Sequence, residues 1–213
     1  AYNHDLRAYC MNDTTGYHDM WRLKYNAAHT GNPYPTHGLG PIAQIMNIHR
    51  GDKMDYLVSV SSDQFGLTDA AILHHGPESD FAKQEYKLGD MNTTIIRTAK
   101  GKTIMIQHDV TTPRPYSRMY QIVGADGYAS KYPIEEYCLR PSLVDSKDVP
   151  NHENLNAHGS VPENVKKALM DKYKDPIHIE LEETAKKVGG HGGMDFIMDY
   201  RLAYCLQNGL PLD

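Results

Sequence analysis

The stretch NTTIIRTAKGKTIMIQH, residues 92–108, decides the class of fold. Residues 92–99 and 103–108 are rich in β-branched side chains and flank the turn Lys100–Gly101–Lys102, which is the pattern of an antiparallel hairpin. Working outward, similar runs occur at residues 56–61, at residues 119–124 and around Tyr128. The middle of the chain is therefore predicted to be a sheet.

Helical patterns lie on both sides of these runs. Apolar residues recur at helical spacing over residues 41–50, behind a PTHGLG loop, with Gly51 as the stop. Ser160 and Glu163 read as a capping box for a helix that ends near Tyr173. A last helix is predicted from Met194 to Gly209, after a GGHGG loop. Strands in the middle and helices at the end indicate an α+β fold with helices covering one sheet face.

Composition excludes several classes of function. The chain has 213 residues, 22 basic and 27 acidic, for a formal charge of -5. Nucleic-acid binding is not expected, because phosphate recognition needs clustered cations. No apolar run reaches the ~18–20 residues that a membrane span needs. The length fits one sizeable core or at most a large and a small domain.

The strongest local motif is YPTHGLG, residues 34–40, in a chain unusually rich in Tyr (15) and His (12). Pro35 stiffens the backbone, Thr36 is predicted to cap the helix that follows, and His37 then projects from a helix start. The positive end of the helix dipole lowers the pKa of such an imidazole and keeps it a neutral base. The alternative is a plain capping role.

Other candidate sites are weaker. Tyr116, in the rigid loop Arg114–Pro115–Tyr116, is either a site residue or part of a surface turn. The adjacent pairs at residues 4–5, 18–19 and 108–109 combine His with Asp, but neighbours on a strand point to opposite faces and chelate poorly. No metal is predicted. The glycine spacing matches no dinucleotide fingerprint, so this chain alone is not expected to bind a dinucleotide tightly.

Five segments taken together resemble glycoside hydrolase family 109. They are AYNHDLR (1–7), MWRLKYN (20–26), the run from GNPYPTHGLG to SVSS (31–62), IMIQHDVTTPRPYSR (104–118) and GGHGGMDFIMDYRLAYCLQNGLPLD (189–213). The members of that family are NAD-dependent α-N-acetylgalactosaminidases of the Gfo/Idh/MocA oxidoreductase superfamily. The resemblance covers essentially the whole chain in one order.

The resemblance implies an architecture and partners. Residues 1–213 correspond to one C-terminal, substrate-side domain with a large, mostly antiparallel open β-sheet, and the Rossmann domain that mainly binds NAD lies outside this chain. The implied partner is a small molecule or glycan with a terminal α-N-acetylgalactosamine. A homo-oligomer through the open sheet and an exported, periplasmic location are further expectations from the resemblance.

Site residues follow from the resemblance position by position. The sugar contacts fall on Tyr2, Arg22, Tyr34, Pro35, Thr36, His37 and Tyr116. The implied mechanism oxidises the sugar at C3 with NAD, removes the C2 proton, expels the aglycone, adds water and returns the hydride. His37 is assigned to the O3 proton. Tyr2 is assigned to the C2 proton or the leaving group, with Arg22 lowering the pKa of its phenol.

Three alternatives stay open. In the first, the protein is a sugar or inositol dehydrogenase of the same superfamily, whose reaction stops at the ketone. In the second, the isolated chain is a non-catalytic sugar-binding or oligomerisation module that is inactive without the Rossmann domain. A His/Asp metal hydrolase predicts bound zinc and inhibition by chelators.

Overall fold

A computed structural model describes residues 2–141 and 158–212 and confirms the α+β class. The chain divides into two compact units, residues 1–136 and 137–213. The prediction that the whole chain is one domain of a larger protein stays a prediction. Within the described residues, no helix is both long and apolar enough to cross a membrane.

The predicted hairpin forms the centre of a four-stranded sheet. Strands β3 (Asn92–Thr98) and β4 (Thr103–Asp109) pair antiparallel, with Ile95 opposite Met105. Strand β2 (Met54–Ser61) lies beside β3, and the two-residue strand β1 (Tyr2–Asn3) pairs parallel with β4. The order is β1-β4-β3-β2. The pairing of Tyr2 with His108 brings the start of the chain to the hairpin.

The two faces of this sheet differ, as the sequence predicts. Helix α3 (Thr36–Ile45) covers one face, where Ile42 packs among Ile96, Ile104 and Ile106. On the other face Val58, Ile95 and Met105 are exposed. That exposed apolar face agrees with an open sheet, while the oligomer expected through it stays a prediction.

The two remaining predicted strands, β5 at Tyr120–Val123 and β6 at Gly127–Lys131, belong to a second sheet, so the strands do not all belong to one large sheet. Strand β7 (Glu136–Leu139), which was not predicted, lies at the boundary of the two units. Strands β5 and β6 pair antiparallel across the turn at residues 124–126.

Helices in the first unit build its main core. They are α1 (Arg7–Cys10), α2 (Trp21–Ala28), α4 (Gly66–His75) and α5 (Asp80–Lys83), besides α3. Leu6, Leu23, Leu67, Leu88 and Val110 are among the buried residues that pack together there. These helices precede and separate the strands, whereas the sequence patterns predicted only one helix, at residues 41–50, before the end of the chain.

The second unit is helical after β7. Its helices are α6 (Glu163–Lys172), α7 (Pro176–Val188) and α8 (Met194–Asn208). Helix α8 ends at the predicted Gly209, whose φ of 63° suits glycine. Its apolar stripe is largely exposed at Met198 and Leu206, and only Cys205 of the helix is buried.

Two predicted helix starts are wrong in detail. Residue Pro162 precedes α6 as its cap, with no side-chain capping bond, so the predicted capping box of Ser160 and Glu163 does not form. Helix α3 begins at Thr36 and ends at Ile45, so PTHGLG supplies its first turns and Pro41 lies inside it. Pro41 has no amide hydrogen to donate to the His37 carbonyl four residues earlier, and the Tyr120 hydroxyl donates to that carbonyl instead. Gly51 lies in a turn beyond the helix.

Candidate active site

Three rings predicted to belong to one site lie together. The Tyr2 ring centroid is 5.0 Å from that of His37 and 5.3 Å from that of Tyr34, and the Tyr34 and His37 rings are 4.7 Å apart. Tyr2 is buried, whereas Tyr34 and His37 are half-buried. The structure therefore brings residues 2, 34 and 37 into one aromatic cluster with hydroxyl and imidazole groups.

The start of α3 positions His37. The Pro35 carbonyl accepts from the amides of Gly38 and Leu39 at 3.0 and 2.8 Å, which closes the first turn. The Tyr120 hydroxyl donates to the His37 carbonyl. Thr36 makes no side-chain capping bond and is exposed, so its predicted capping role is wrong. Its side chain occupies the first helical position instead of the preceding one.

Arg22 approaches the cluster from α2. Its guanidinium carbon lies 5.6 Å from the Tyr34 ring centroid, 4.6 Å from that of Tyr17 and 5.0 Å from that of Trp21. Distances of this size are typical of cation–π contacts. The Arg22 charge also acts on the Tyr2 hydroxyl.

Tyr116 reaches the cluster through His4. The His4 ring is 5.1 Å from the Tyr116 ring and 6.2 Å from the Tyr2 ring, and its Nδ1 is 3.4 Å from the Tyr2 hydroxyl. Tyr116 itself is exposed, so its ring lies on the open side of the cluster. Tyr116 thus lies at the surface beside the cluster, and its role as a site residue stays a prediction.

The acid–base state of Tyr2 differs from the prediction. Burial raises the pKa of the Tyr2 phenol above its ordinary value, and the opposing effect of the Arg22 charge is smaller. The prediction that Arg22 depresses this pKa enough to make a base is therefore wrong. At neutral pH the phenol keeps its proton and is suited to donate it.

A comparison with protein families identifies the C-terminal domain of glycosyl hydrolase 109 across residues 1–213. The chain belongs to glycosyl hydrolase family 109. Relatives named for that family include protein 1 of Bacteroides fragilis strain YCH46, 66% identical over 197 residues, and a protein of Porphyromonas gingivalis, 60% identical over 197 residues. These alignments cover 92% of this chain and 42% and 41% of the relatives.

A third relative is a Bacteroides fragilis protein named alpha-N-acetylgalactosaminidase. It is 47% identical over 215 aligned residues, which cover 100% of this chain and 47% of the relative. The chain thus spans less than half the length of these curated relatives.

Two residues of this family 109 domain were missed as site residues. His4 and His108 were considered only as halves of His–Asp pairs, yet both rings contact Tyr2. His108 lies on β4 opposite Tyr2, with ring centroids 6.1 Å apart. His4 directly follows β1, and the alternation of an extended chain places residues 2 and 4 on one side, which was the available signal for His4. Nothing local in the sequence predicts the contact of His108.

His108 is a neutral imidazole in an apolar setting. It is 2% exposed, and burial together with the Arg22 charge lowers its pKa to about 4. Its Nε2 has no hydrogen-bond partner within the two described stretches of the chain. A buried nitrogen of this kind is an acceptor or donor still available to a ligand or water.

Carboxylates near the cluster are already engaged. Asp109 accepts hydrogen bonds from the amides of Thr111 and Thr112 and from the Arg114 guanidinium at 3.1 Å. Asp5 is held by two hydrogen bonds from the Arg7 guanidinium, each 2.9 Å, and the hydrogen bond from Arg7 lowers its pKa. The groups that face the cluster are imidazoles, phenols and a guanidinium.

Proposed function

We propose that this domain supplies the sugar-binding and acid–base groups of an α-N-acetylgalactosaminidase of family 109. The observation that carries the proposal is the contact among the rings of Tyr2, Tyr34 and His37 at 4.7–5.3 Å. The relative named alpha-N-acetylgalactosaminidase supports the substrate class. Aromatic faces with polar edges are well suited to a sugar ring, which has apolar and hydroxyl faces of its own.

The donor set supports a route without two carboxylic acids. An ordinary glycosidase places two free carboxyl groups about the scissile bond. Here Asp5 and Asp109 are engaged by Arg7 and Arg114. The cluster fits the NAD-dependent route, which needs a base at a sugar hydroxyl rather than a carboxylate pair. When bound, NAD supplies the hydride acceptor and donor for that route.

His37 acts as the base at the O3 hydroxyl of the sugar. An imidazole within hydrogen-bond reach of an alcohol is an efficient proton acceptor near neutral pH. His37 is the second residue of α3, and its ring lies beside the rings of Tyr2 and Tyr34.

Tyr2 donates a proton to the leaving glycosidic oxygen. The raised pKa of Tyr2 favours the protonated phenol. A protonated phenol supports the leaving-group role over removal of the C2 proton, the other role that the resemblance implied. Arg22, Tyr34 and Tyr116 hold the sugar, and the backbone of Pro35 and Thr36 orients the turn that carries His37.

The test is release of p-nitrophenol from the α-N-acetylgalactosaminide by the full-length protein. His37→Asn is expected to lower kcat/KM by about 10²–10⁴-fold, the usual contribution of a general base. His178→Asn, at an exposed position of α7, is the matched control and is expected to leave the rate unchanged. Activity should also require NAD.

The two proton transfers are separable in deuterated water. Tyr2→Phe is expected to retain exchange of the sugar C2 proton while losing cleavage, whereas His37→Asn loses both. Equal loss of both steps in the two variants would contradict the division of roles. Accumulation of a keto sugar with reduced cofactor and no cleavage favours the dehydrogenase instead.

An exported, periplasmic location of the full-length protein is part of the proposal and rests on the resemblance alone. Fractionation of the native host with an antibody to this domain tests it. Recovery in the cytoplasmic fraction would contradict it.

A further inference from the structure

A small pocket borders the cluster on the side of α2. It encloses about 110 Å³ and is lined by Trp21, Arg22, Tyr25, Asn26, Pro33 and Tyr34. Four of these residues share one face of α2, at positions one and four apart. None of Trp21, Tyr25 and Asn26 was predicted to belong to a site.

Two donors in the pocket wall have no acceptor. The Arg22 Nε and the Asn26 Nδ2 are buried, and neither has a hydrogen-bond partner in residues 2–141 or 158–212. Asn26 is 1% exposed, and its backbone is fixed because its carbonyl accepts from the amides of Lys87 and Leu88. Burying two donors without acceptors is costly, so the pocket is built for a group that brings an acceptor oxygen.

The rest of the wall is flat and apolar. The pocket is also lined by Trp21, Tyr25, Pro33 and Tyr34, all of which carry rings. A group that suits this lining is small and planar, with a carbonyl oxygen on one side and a methyl on the other. Acetamide has that shape, and a volume of about 110 Å³ accommodates it.

The pocket adjoins the ring cluster that is proposed to bind the sugar. Tyr34 and Arg22 belong to both, and the Tyr34 ring is 4.7 Å from that of His37. In an N-acetylhexosamine the acetamido group is on C2, next to the C3 hydroxyl on which His37 acts. We infer that the α2 pocket binds the acetamido group of the sugar, with Asn26 and the Arg22 Nε donating to its carbonyl oxygen. This inference rests on the proposed function for the site.

Asn26 is therefore a residue that determines specificity. It distinguishes N-acetylgalactosamine from galactose, which has a hydroxyl at C2 and cannot extend into the pocket. An ordered water between the two donors is the competing occupant, and it predicts no such distinction.

The experiment compares binding of N-acetylgalactosamine and of galactose to the full-length protein by calorimetry. Asn26→Leu keeps the approximate volume and removes the donor, and Asn26→Asp keeps the shape and replaces the donor with a carboxylate. Both variants are expected to weaken binding of N-acetylgalactosamine by about tenfold, the loss of one hydrogen bond, and to leave galactose within twofold. Asn208→Leu, on the exposed end of α8, is the control.

Each other outcome overturns the inference. Equal weakening of both sugars assigns Asn26 a structural role. Unchanged affinity for both sugars shows that the pocket holds water and not the acetamido group. A wild-type protein that binds the two sugars equally refutes the pocket, whether or not it cleaves the glycoside, whereas a protein that prefers N-acetylgalactosamine but cleaves nothing refutes only the proposed function.

Discussion

Two buried polar regions of the first unit are built in opposite ways. Around Asp90 and Asp109, each carboxylate accepts several hydrogen bonds, from backbone amides and from side chains. Around Arg22, Asn26 and His108, buried nitrogen atoms have no partner within the described residues. The first region is satisfied by the chain itself, and the second is not.

Whether a buried polar group has hydrogen-bond partners distinguishes structural residues from candidate site residues better than residue type does. Satisfied buried polar groups fix the backbone, since removing one partner leaves the others without acceptors. Unsatisfied groups carry a cost that a ligand offsets, and here they surround the Tyr2 cluster. Aspartate is the familiar glycosidase residue, yet in this domain two buried aspartates hold loops while histidine, tyrosine and asparagine face the site.

The largest expected effect is a loss of stability in the region around Asp90, where the chain itself supplies all the hydrogen-bond partners described above. Asp90 accepts from the amides of Phe65 and Gly66 at the start of α4 and from the Thr111 hydroxyl at 2.7 Å. Asp90→Ala leaves these donors buried without an acceptor and is expected to lower the free energy of unfolding by about 3–5 kcal/mol. Urea denaturation of the full-length protein measures this.

Asp63→Ala is the control for that measurement. Asp63 is exposed close to the same loop, so its replacement is expected to change stability by no more than about 0.5 kcal/mol. If Asp90→Ala is as mild as Asp63→Ala, the hydrogen bonds at α4 do not hold the fold, and the contrast between the two regions fails.

An intermediate effect is expected for the pH dependence of stability, through His108 in the region whose buried nitrogen atoms have no partner. The pKa of His108 is about 4 in the folded protein and near 6.5 when unfolded. Between these values the unfolded chain binds more protons, so stability is full above about pH 6.5 and falls as the pH drops toward 4. The shift corresponds to about 3 kcal/mol.

His108→Gln isolates this contribution. Between pH 7 and pH 4 the wild-type protein is expected to lose about 3 kcal/mol more unfolding free energy than the variant, as followed by urea denaturation at each pH. His178→Gln, at an exposed position, should follow the wild type. An equal loss in wild type and His108→Gln would show that His108 is not the neutral, buried group described.

The smallest expected effect is on the stability of helix α3, which carries His37. A Cβ added at Gly40 in α3 meets no atom within 4 Å, whereas one added at Gly66 would lie 1.9 Å from the Thr111 carbonyl oxygen. Gly40→Ala is expected to raise stability by about 0.5–1 kcal/mol through helix propensity, without changing sugar affinity. A lower thermal midpoint for Gly40→Ala would contradict this.

Sequence patterns predicted those parts of the fold that depend on neighbouring residues. Alternation and the Lys100–Gly101–Lys102 turn were enough for the β3-β4 hairpin, and Gly209 marked the end of α8. Helix α7 was missed although Asp175 caps it and Pro176 opens it, a signal that is readable in the sequence.

Parts of the site that depend on distant residues were not predictable in this way. The family resemblance named Tyr2 and His37, but the Tyr2–His108 contact requires the parallel pairing of β1 with β4. The pKa of Tyr2 was predicted with the wrong sign because burial, which no local pattern measures, outweighs the Arg22 charge. The unpartnered nitrogen of Asn26 is likewise a property of packing.

Strand β1 has only two residues, and its partner β4 follows more than a hundred positions later along the chain. So short a strand has no stability of its own, and closing a long loop is slow compared with forming a local hairpin. During synthesis Tyr2 is made before the β3-β4 hairpin, and it takes its place only once that hairpin exists to receive it. The site is thus completed only in a chain that has finished its sheet, and sugar binding reports on successful folding.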